Sequence, residues 1–159
     1  MAIQVAIANR QRRMPIDRRS IVRAVRRVID GERIETATIS VAIVDDAEIS
    51  ELHGRYLGDP SPTDVLSFPL HAPGEPLDGE IVVSAETAAS AARRLGVDRE
   101  GELLRYVVHG MLHLAGHDDA TAQGRARMRR LERQYLARIG ASQRDARRSP
   151  GRPRTRQTR

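Results

Sequence analysis

The segment Val-Val-His-Gly-Met-Leu-His-Leu-Ala-Gly-His-Asp-Asp, residues 107–119, constrains the fold more than any other stretch of the chain. Apolar Val107, Val108, Met111, Leu112 and Leu114 surround two histidines, so a helix here must be enclosed by other elements rather than lie on a surface. His109 and His113 are four apart and leave such a helix on one side, with roughly 5–6 Å between Cβ atoms. A buried neutral imidazole needs a partner for each ring nitrogen. Two that converge suit one metal ion at about 2.0–2.1 Å from each nitrogen. Gly116 permits the left-handed conformation that ends a helix, and a chain that turns back there brings Asp119 over the same ion. His117 competes for the third position, but it follows the helix end directly and points elsewhere unless the chain returns, so Asp119 is preferred. Two ring nitrogens and one carboxylate, with a fourth position left for water, match a catalytic zinc site rather than a closed structural one. A His pair at this spacing is by itself more often packed or solvated; the apolar flanks and the glycine break followed by acids raise the metal reading.

The residue after the first histidine narrows the chemistry. Zinc peptidases of the His-Glu-x-x-His type place a general base there, whereas this chain has Gly110, which has no side chain to take a proton. Phosphodiester hydrolysis depends above all on charge stabilisation, which a metal supplies without that glutamate. The pattern therefore favours a nuclease over a peptidase.

A chain of 159 residues is enough for one compact domain. Aromatic residues make up only 3% and Trp is absent, so the core is built from Ala, Val, Leu and Ile, and a base-stacking platform for single-stranded nucleic acid is disfavoured. Absence of Cys excludes disulfides and thiolate metal sites. No apolar run approaches the roughly 20 residues that span a bilayer, and Arg10, Arg12 and Arg13 come too early for a signal peptide, so a cytoplasmic setting without membrane contact is expected. All 27 basic residues are Arg. From Arg144 onward there are seven Arg and one acid, Asp145, which leaves 20 basic against 20 acidic residues in the body and places the net +6 in the tail. Residues 1–141 are read as one domain and 142–159 as a disordered Arg-rich tail, interrupted by Pro150, Gly151 and Pro153. Two readings of that tail stand side by side: an electrostatic arm for RNA phosphates or an extension with no dedicated partner.

Alternation over residues 3–7 predicts a first strand, and Asp17 caps a helix to about Ile29. Residues 38–44 form a second strand, and Asp45-Asp46 cap a short helix through Leu52. Residues 58–62 are a loop. Residues 65–70 and 80–83 are two more strands separated by a turn-rich loop over 72–79. Ser84 caps a helix ending near Gly96, Asp98 caps the histidine helix, and a last helix runs over about 122–139 with Met128, Leu131, Tyr135 and Leu136 inward. The fold class is therefore α+β, a small mixed four-stranded sheet flanked by helices, with the metal-binding helix followed by a turn. His53 and His71 read as surface residues, and Ser67 has no base at nucleophile spacing.

Two separated blocks then resemble one family. Pro62-Thr63-Asp64-Val65-Leu66-Ser67-Phe68-Pro69 is similar to the Pro-Thr-Asp-Val-Leu-Ser-Phe-Pro block of the YbeY family, and His109-Gly110-Met111-Leu112-His113-Leu114-Ala115-Gly116 resembles its His-Gly-x-Leu-His-Leu-x-Gly signature. Residues 79–84, Gly-Glu-Ile-Val-Val-Ser, look like its Gly-Asp-Ile-x-Ile-Ser strand, and the order and spacing agree over about residues 3–140. The resemblance implies an endoribonuclease with one zinc ion that acts on ribosomal RNA, on the 3′ end of the small-subunit RNA in particular, and works with the small ribosomal subunit; no DNA partner is expected.

Two positions depart from the family pattern. The third ligand of the family is usually His, and here it is Asp119, which puts a negative charge beside the ion and predicts a higher pH optimum than an Asp119→His variant would have. The family also carries an Arg after the Tyr that matches Tyr56, and here that position is Leu57. Arg55 either supplies the missing cation as a catalytic residue or is a solvated surface residue, and the solvated reading is favoured. Pro62-Thr63-Asp64 is read chiefly as a turn with side-chain hydrogen bonds to its own backbone. The leading function is a zinc endoribonuclease, with Arg side chains in its groove positioning the RNA. The alternative is a catalytically weakened ribosome- or RNA-binding factor stabilised by its metal.

Overall fold

A computed structural model describes residues 2–57 and 64–147. The elements are β1 (Ala2–Asn9), α1 (Arg18–Gly31), β2 (Thr36–Val44), α2 (Asp46–Leu57), β3 (Val65–Pro69), β4 (Leu77–Ser84), α3 (Ala85–Leu95), α4 (Arg99–Leu114) and α5 (Ala122–Arg147). The fold is α+β, with one four-stranded mixed sheet in the order β1-β2-β4-β3. β1 and β4 both run parallel to β2, and β3 runs antiparallel to β4 at one edge.

The burial pattern of the two central strands explains the layering. Along β2, Ala37, Ile39 and Val41 are buried while Thr36, Thr38 and Ser40 are exposed, and from Ala42 to Val44 every side chain is buried. The alternating half has helices on one face only. The continuous half is covered on its second face by α2, where Ile49 and Leu52 pack on Ala42, Val44, Leu66, Val82 and Phe68. The larger core lies on the first face and joins α1, α4 and α5 to the sheet through Ile21, Val25, Ile39, Ile81, Val107, Met111 and Met128. Among the described residues no helix is long and apolar enough to cross a membrane.

Caps set the helix starts as the sequence predicts. Asp17, Asp45, Ser84 and Asp98 each accept a first-turn backbone N–H, from Arg19 at 3.1 Å, Glu48 at 2.8 Å, Thr87 at 3.1 Å and Gly101 at 3.1 Å. The ends of α3 and α4 also match, with Gly96 and Gly116 left-handed just beyond them, whereas three other ends depart from prediction. α1 is expected to end near Ile29 but runs through Gly31, against which Tyr135 of α5 packs, and the left-handed residue is Arg33, at φ 57°. α2 continues to Leu57, and α5 is helical to Arg147, so the tail read from residue 142 begins inside that helix; residues 148–159 lie outside those described. β4 begins at Leu77, three residues before the predicted start.

α4 is the central helix of the first layer. It approaches β4 closely at two points. A Cβ at Gly110 would lie 2.8 Å from Ile81 Cγ2 and 3.2 Å from Ser67 Oγ, and one at Gly79 would lie 2.7 Å from Leu114 Cδ2. Ser67 Oγ donates to the Gly110 carbonyl at 3.2 Å. Gly110 therefore faces the sheet, and the missing glutamate of the peptidase motif has a packing reason: no side chain fits between helix and strand there.

Candidate metal centre

His109 and His113 leave α4 on the same side. Their rings are 4.7 Å apart at 72°, and their Nε2 atoms are 3.1 Å apart. Beyond Leu114 the chain turns sharply. Gly116 adopts φ 101°, its N–H donates to the His113 carbonyl at 3.0 Å, and the His117 N–H donates to the Leu112 carbonyl at 3.0 Å. This paired closure is the Schellman motif, which needs a left-handed residue where the glycine stands. The return is held by Asp118, whose Oδ1 accepts from the Ala120 N–H at 2.7 Å, and by Arg125 of α5, whose Nη1 donates to the Asp119 carbonyl at 3.3 Å.

The turn brings Asp119 back over the histidines. Asp119 Oδ2 lies 3.3 Å from His113 Nε2 and 3.8 Å from His109 Nε2. Three ligand atoms held at about 2.0–2.1 Å from a tetrahedral zinc are about 3.3–3.4 Å from one another. Separations of 3.1, 3.3 and 3.8 Å bracket that value. The donor set is two imidazoles and one carboxylate, partly exposed, so the trio could hold a metal ion and leave a position open to solvent. His117 turns the other way: its Nε2 lies 3.1 Å from Glu32 Oε1, which also accepts from the Tyr135 hydroxyl at 3.2 Å.

A fourth residue belongs to the site and is absent from the sequence reading. Glu132 of α5 is only 6% exposed, and its Oε1 lies 2.5 Å from His109 Nδ1. A carboxylate only accepts, so Nδ1 carries the proton and donates. Glu132 Oε2 is 3.9 Å from Arg105 Nη1, and Arg105 is bound more tightly to Glu102. Burial pushes His109 down, but the Glu132 hydrogen bond and charge, with the charges of Asp64 and Asp119, outweigh it and leave the imidazole above its ordinary value. The surroundings favour a positive charge at this point. The sequence signal for Glu132 is its place four residues after Met128 and three before Tyr135, a carboxylate inside the inward stripe of a helix.

The three candidate ligands line a cleft of about 460 Å³ with Asp64, Leu66, Ser67 and Leu114. Among the described residues no Arg lines it, so the arginines expected in the groove are not at its walls. Arg55 is on α2, 63% exposed, and its Nη2 holds Glu51 at 3.4 Å one turn earlier. Leu57 is the last residue of α2. Asp64 faces the cleft and also accepts from the Val65 N–H at 2.9 Å, which is the turn role the sequence suggests; Pro62 and Thr63 lie outside the described residues. His71 Nδ1 lies 2.9 Å from the Asp78 carbonyl in the β3–β4 connection, and neither it nor His53 joins the metal trio.

Comparison with known proteins agrees with the motif blocks. Residues 6–140 match the family described as Endoribonuclease YbeY. A relative of that name from Salinibacter ruber is 38% identical over 120 residues, covering 70% of this chain and 76% of its own. Another of that name from Chlamydia caviae is 33% identical over 143 residues, covering 86% of this chain and 90% of its own. The solution structure of TM1509 from Thermotoga maritima superimposes with a TM-score of 0.64 at 26% identity, over 97% of this chain and 99% of that one. With the match running from β1 through the histidine helix into α5, this chain belongs to the endoribonuclease YbeY family.

Proposed function

We propose that this protein is a zinc-dependent endoribonuclease that cleaves single-stranded segments of ribosomal RNA, the 3′ end of the small-subunit RNA among them, in association with the small ribosomal subunit. The observation that carries the reading is the convergence of His109, His113 and Asp119 in a cleft whose other charged wall residue, among the described residues, is Asp64. With Glu132 behind His109, three carboxylates surround this point. An RNA phosphate would be repelled by that cleft unless a divalent cation offset most of its negative charge. Zinc held by His109, His113 and Asp119 would supply that positive charge, polarise a phosphoryl oxygen and make water a better nucleophile at neutral pH. His109 and His113 offer Nε2 and Asp119 offers Oδ2, while Ser67 keeps its hydroxyl on the Gly110 carbonyl and so holds β3 against α4. RNA backbone beyond the cleft meets a surface on which every basic side chain is Arg, suited to paired contacts with phosphate oxygens.

The test is cleavage of a small-subunit RNA fragment spanning the 3′ end by zinc-quantified protein, beside His113→Ala. Loss of both zinc and cleavage in the variant is expected. Cleavage that survives in His113→Ala would assign the activity to a contaminant. The second reading, an RNA-binding factor with a structural metal, is favoured by the one observation that Arg55 is engaged with Glu51 and does not line the cleft. Zinc and ribosome binding without cleavage would select it.

A further inference from the structure

We propose that Glu132 is a positioning residue of the metal centre: from α5 it holds His109 through Nδ1, so that Nε2 alone faces His113 and Asp119. The proposal rests on the reading of these three residues as metal ligands. Glu132 occupies the inward stripe of α5, between Met128 at 2% exposure and Tyr135 at 5%. Burying a carboxylate at such a place costs several kcal/mol unless its oxygens are engaged. Both are: Oε1 takes His109 Nδ1–H at 2.5 Å and Oε2 lies 3.9 Å from Arg105 Nη1. Arg105 is one turn before His109 on α4 and is fixed by two contacts to Glu102, at 2.5 and 3.2 Å, and by the Tyr106 ring at 5.2 Å.

The consequence is chemical. A neutral imidazole carries one N–H, and the acceptor-only carboxylate fixes it on Nδ1. The Nε2 lone pair is then bare and aimed into the triangle of candidate ligands, which is the tautomer a metal at Nε2 requires. A tie between α4 and α5 with no role at the metal would need the contact but not the tautomer, and that difference can be measured.

The experiment reads metal affinity of the metal-free full-length protein by chelator competition with Zn²⁺, and the His109 ring nitrogens by NMR at a pH where the imidazole is neutral. Neither readout involves RNA. Glu132→Ala is expected to weaken zinc about 10- to 100-fold and to give His109 mixed tautomers. Glu132→Gln keeps an acceptor oxygen without the charge, so it retains the Nδ1–H tautomer and loses affinity only severalfold. Should Glu132→Ala fail to fold, Glu132→Gln decides: wild-type zinc affinity in a variant with the wild-type melting temperature overturns the proposal. So does a folded Glu132→Ala whose affinity and His109 signals match wild type. The parent reading fails separately, when His113→Ala still binds zinc at full affinity.

Discussion

Replacing Gly110 by Ala sets two effects of opposite sign against each other within one helix. Helix propensity favours Ala over Gly by about 0.8–1.0 kcal/mol in a helix interior. Packing opposes it. The new methyl group would lie 2.8 Å from Ile81 Cγ2, 3.3 Å from Ile81 Cγ1 and 3.2 Å from Ser67 Oγ, whereas carbon pairs rest at about 3.5–4.0 Å. The shortfall of roughly 0.7 Å falls on Ile81, which is β-branched, fully buried and part of a central strand. Neither partner can yield without lifting α4 from the sheet, and overpacking of this kind costs about 1–3 kcal/mol. The balance is a net loss of about 1 kcal/mol, with ~2 kcal/mol as its upper end. Gly101→Ala in the same helix is the control: its Cβ meets only Asp98 side-chain atoms at 3.7 and 3.9 Å, which is ordinary contact. That variant keeps the propensity gain, up to about 0.8–1.0 kcal/mol. Urea unfolding should move the midpoint down for Gly110→Ala and up for Gly101→Ala with unchanged slope. Gly110→Ala as stable as wild type, or more so, would refute the claim that α4 and β4 are in contact at that point.

Three further outcomes follow from other parts of the molecule. On the proposed metal reading, Asp119→His would replace a negative ligand by a neutral one, so its RNA-cleavage optimum should lie at lower pH than wild type; coincident or reversed pH–rate profiles count against Asp119 at the ion. Burial, with the charges of Glu102 and Asp64 for Tyr106 and of Glu32 for Tyr135, pushes both phenols up to about 12. In the unfolded chain they ionise near pH 10, so their contribution to stability is full below that value and is lost as pH rises towards about 12. Ultraviolet titration of native protein should show two of the three tyrosines ionising with that high midpoint, and two normal phenols would contradict the packing. Arg33 sits at φ 57° without being Gly. Arg33→Gly relieves a left-handed cost of about 1–2 kcal/mol, less ~0.4–1 kcal/mol of added unfolded-state entropy. A gain of about 0.5–1 kcal/mol in denaturant unfolding is expected, and a loss would mean that the end of α1 is differently wound.

Much of the architecture could be anticipated because local chemistry and tertiary context agree. Asp17, Asp45, Ser84 and Asp98 cap the helices they precede in sequence, and Gly116 is left-handed where the histidine helix stops. Where the reading departed, a partner distant in sequence decided. Gly79, beside Asp78 and Pro76, looks like a turn, yet it is inside β4 because Leu114 occupies the space above it. The helix expected to end near Ile29 runs to Gly31, where Tyr135 lies against the glycine, and the left-handed residue beyond it is Arg33. Two candidate ligands share one helix face, and the third follows a glycine, so the trio could be proposed from spacing. Glu132 could not, since 23 residues and a change of helix separate it from His109. Gly110 illustrates the same limit from the other side: spacing marked it as a lost base, and only the position of Ile81 shows why nothing larger fits.

The two glycine contacts of α4 have a consequence for how an ion would come and go. Gly110 on Ile81 and Leu114 over Gly79 clip the helix to β4 on either side of His113, and Glu132 grips His109 from behind. The imidazoles are thus braced from the sheet on one side and from α5 on the other. Asp119, on an irregular turn with its side chain 44% exposed, is the most exposed of the three candidate ligands. For an ion held by the three, the way in and out that disturbs the least packing would be past that carboxylate, on the solvent side.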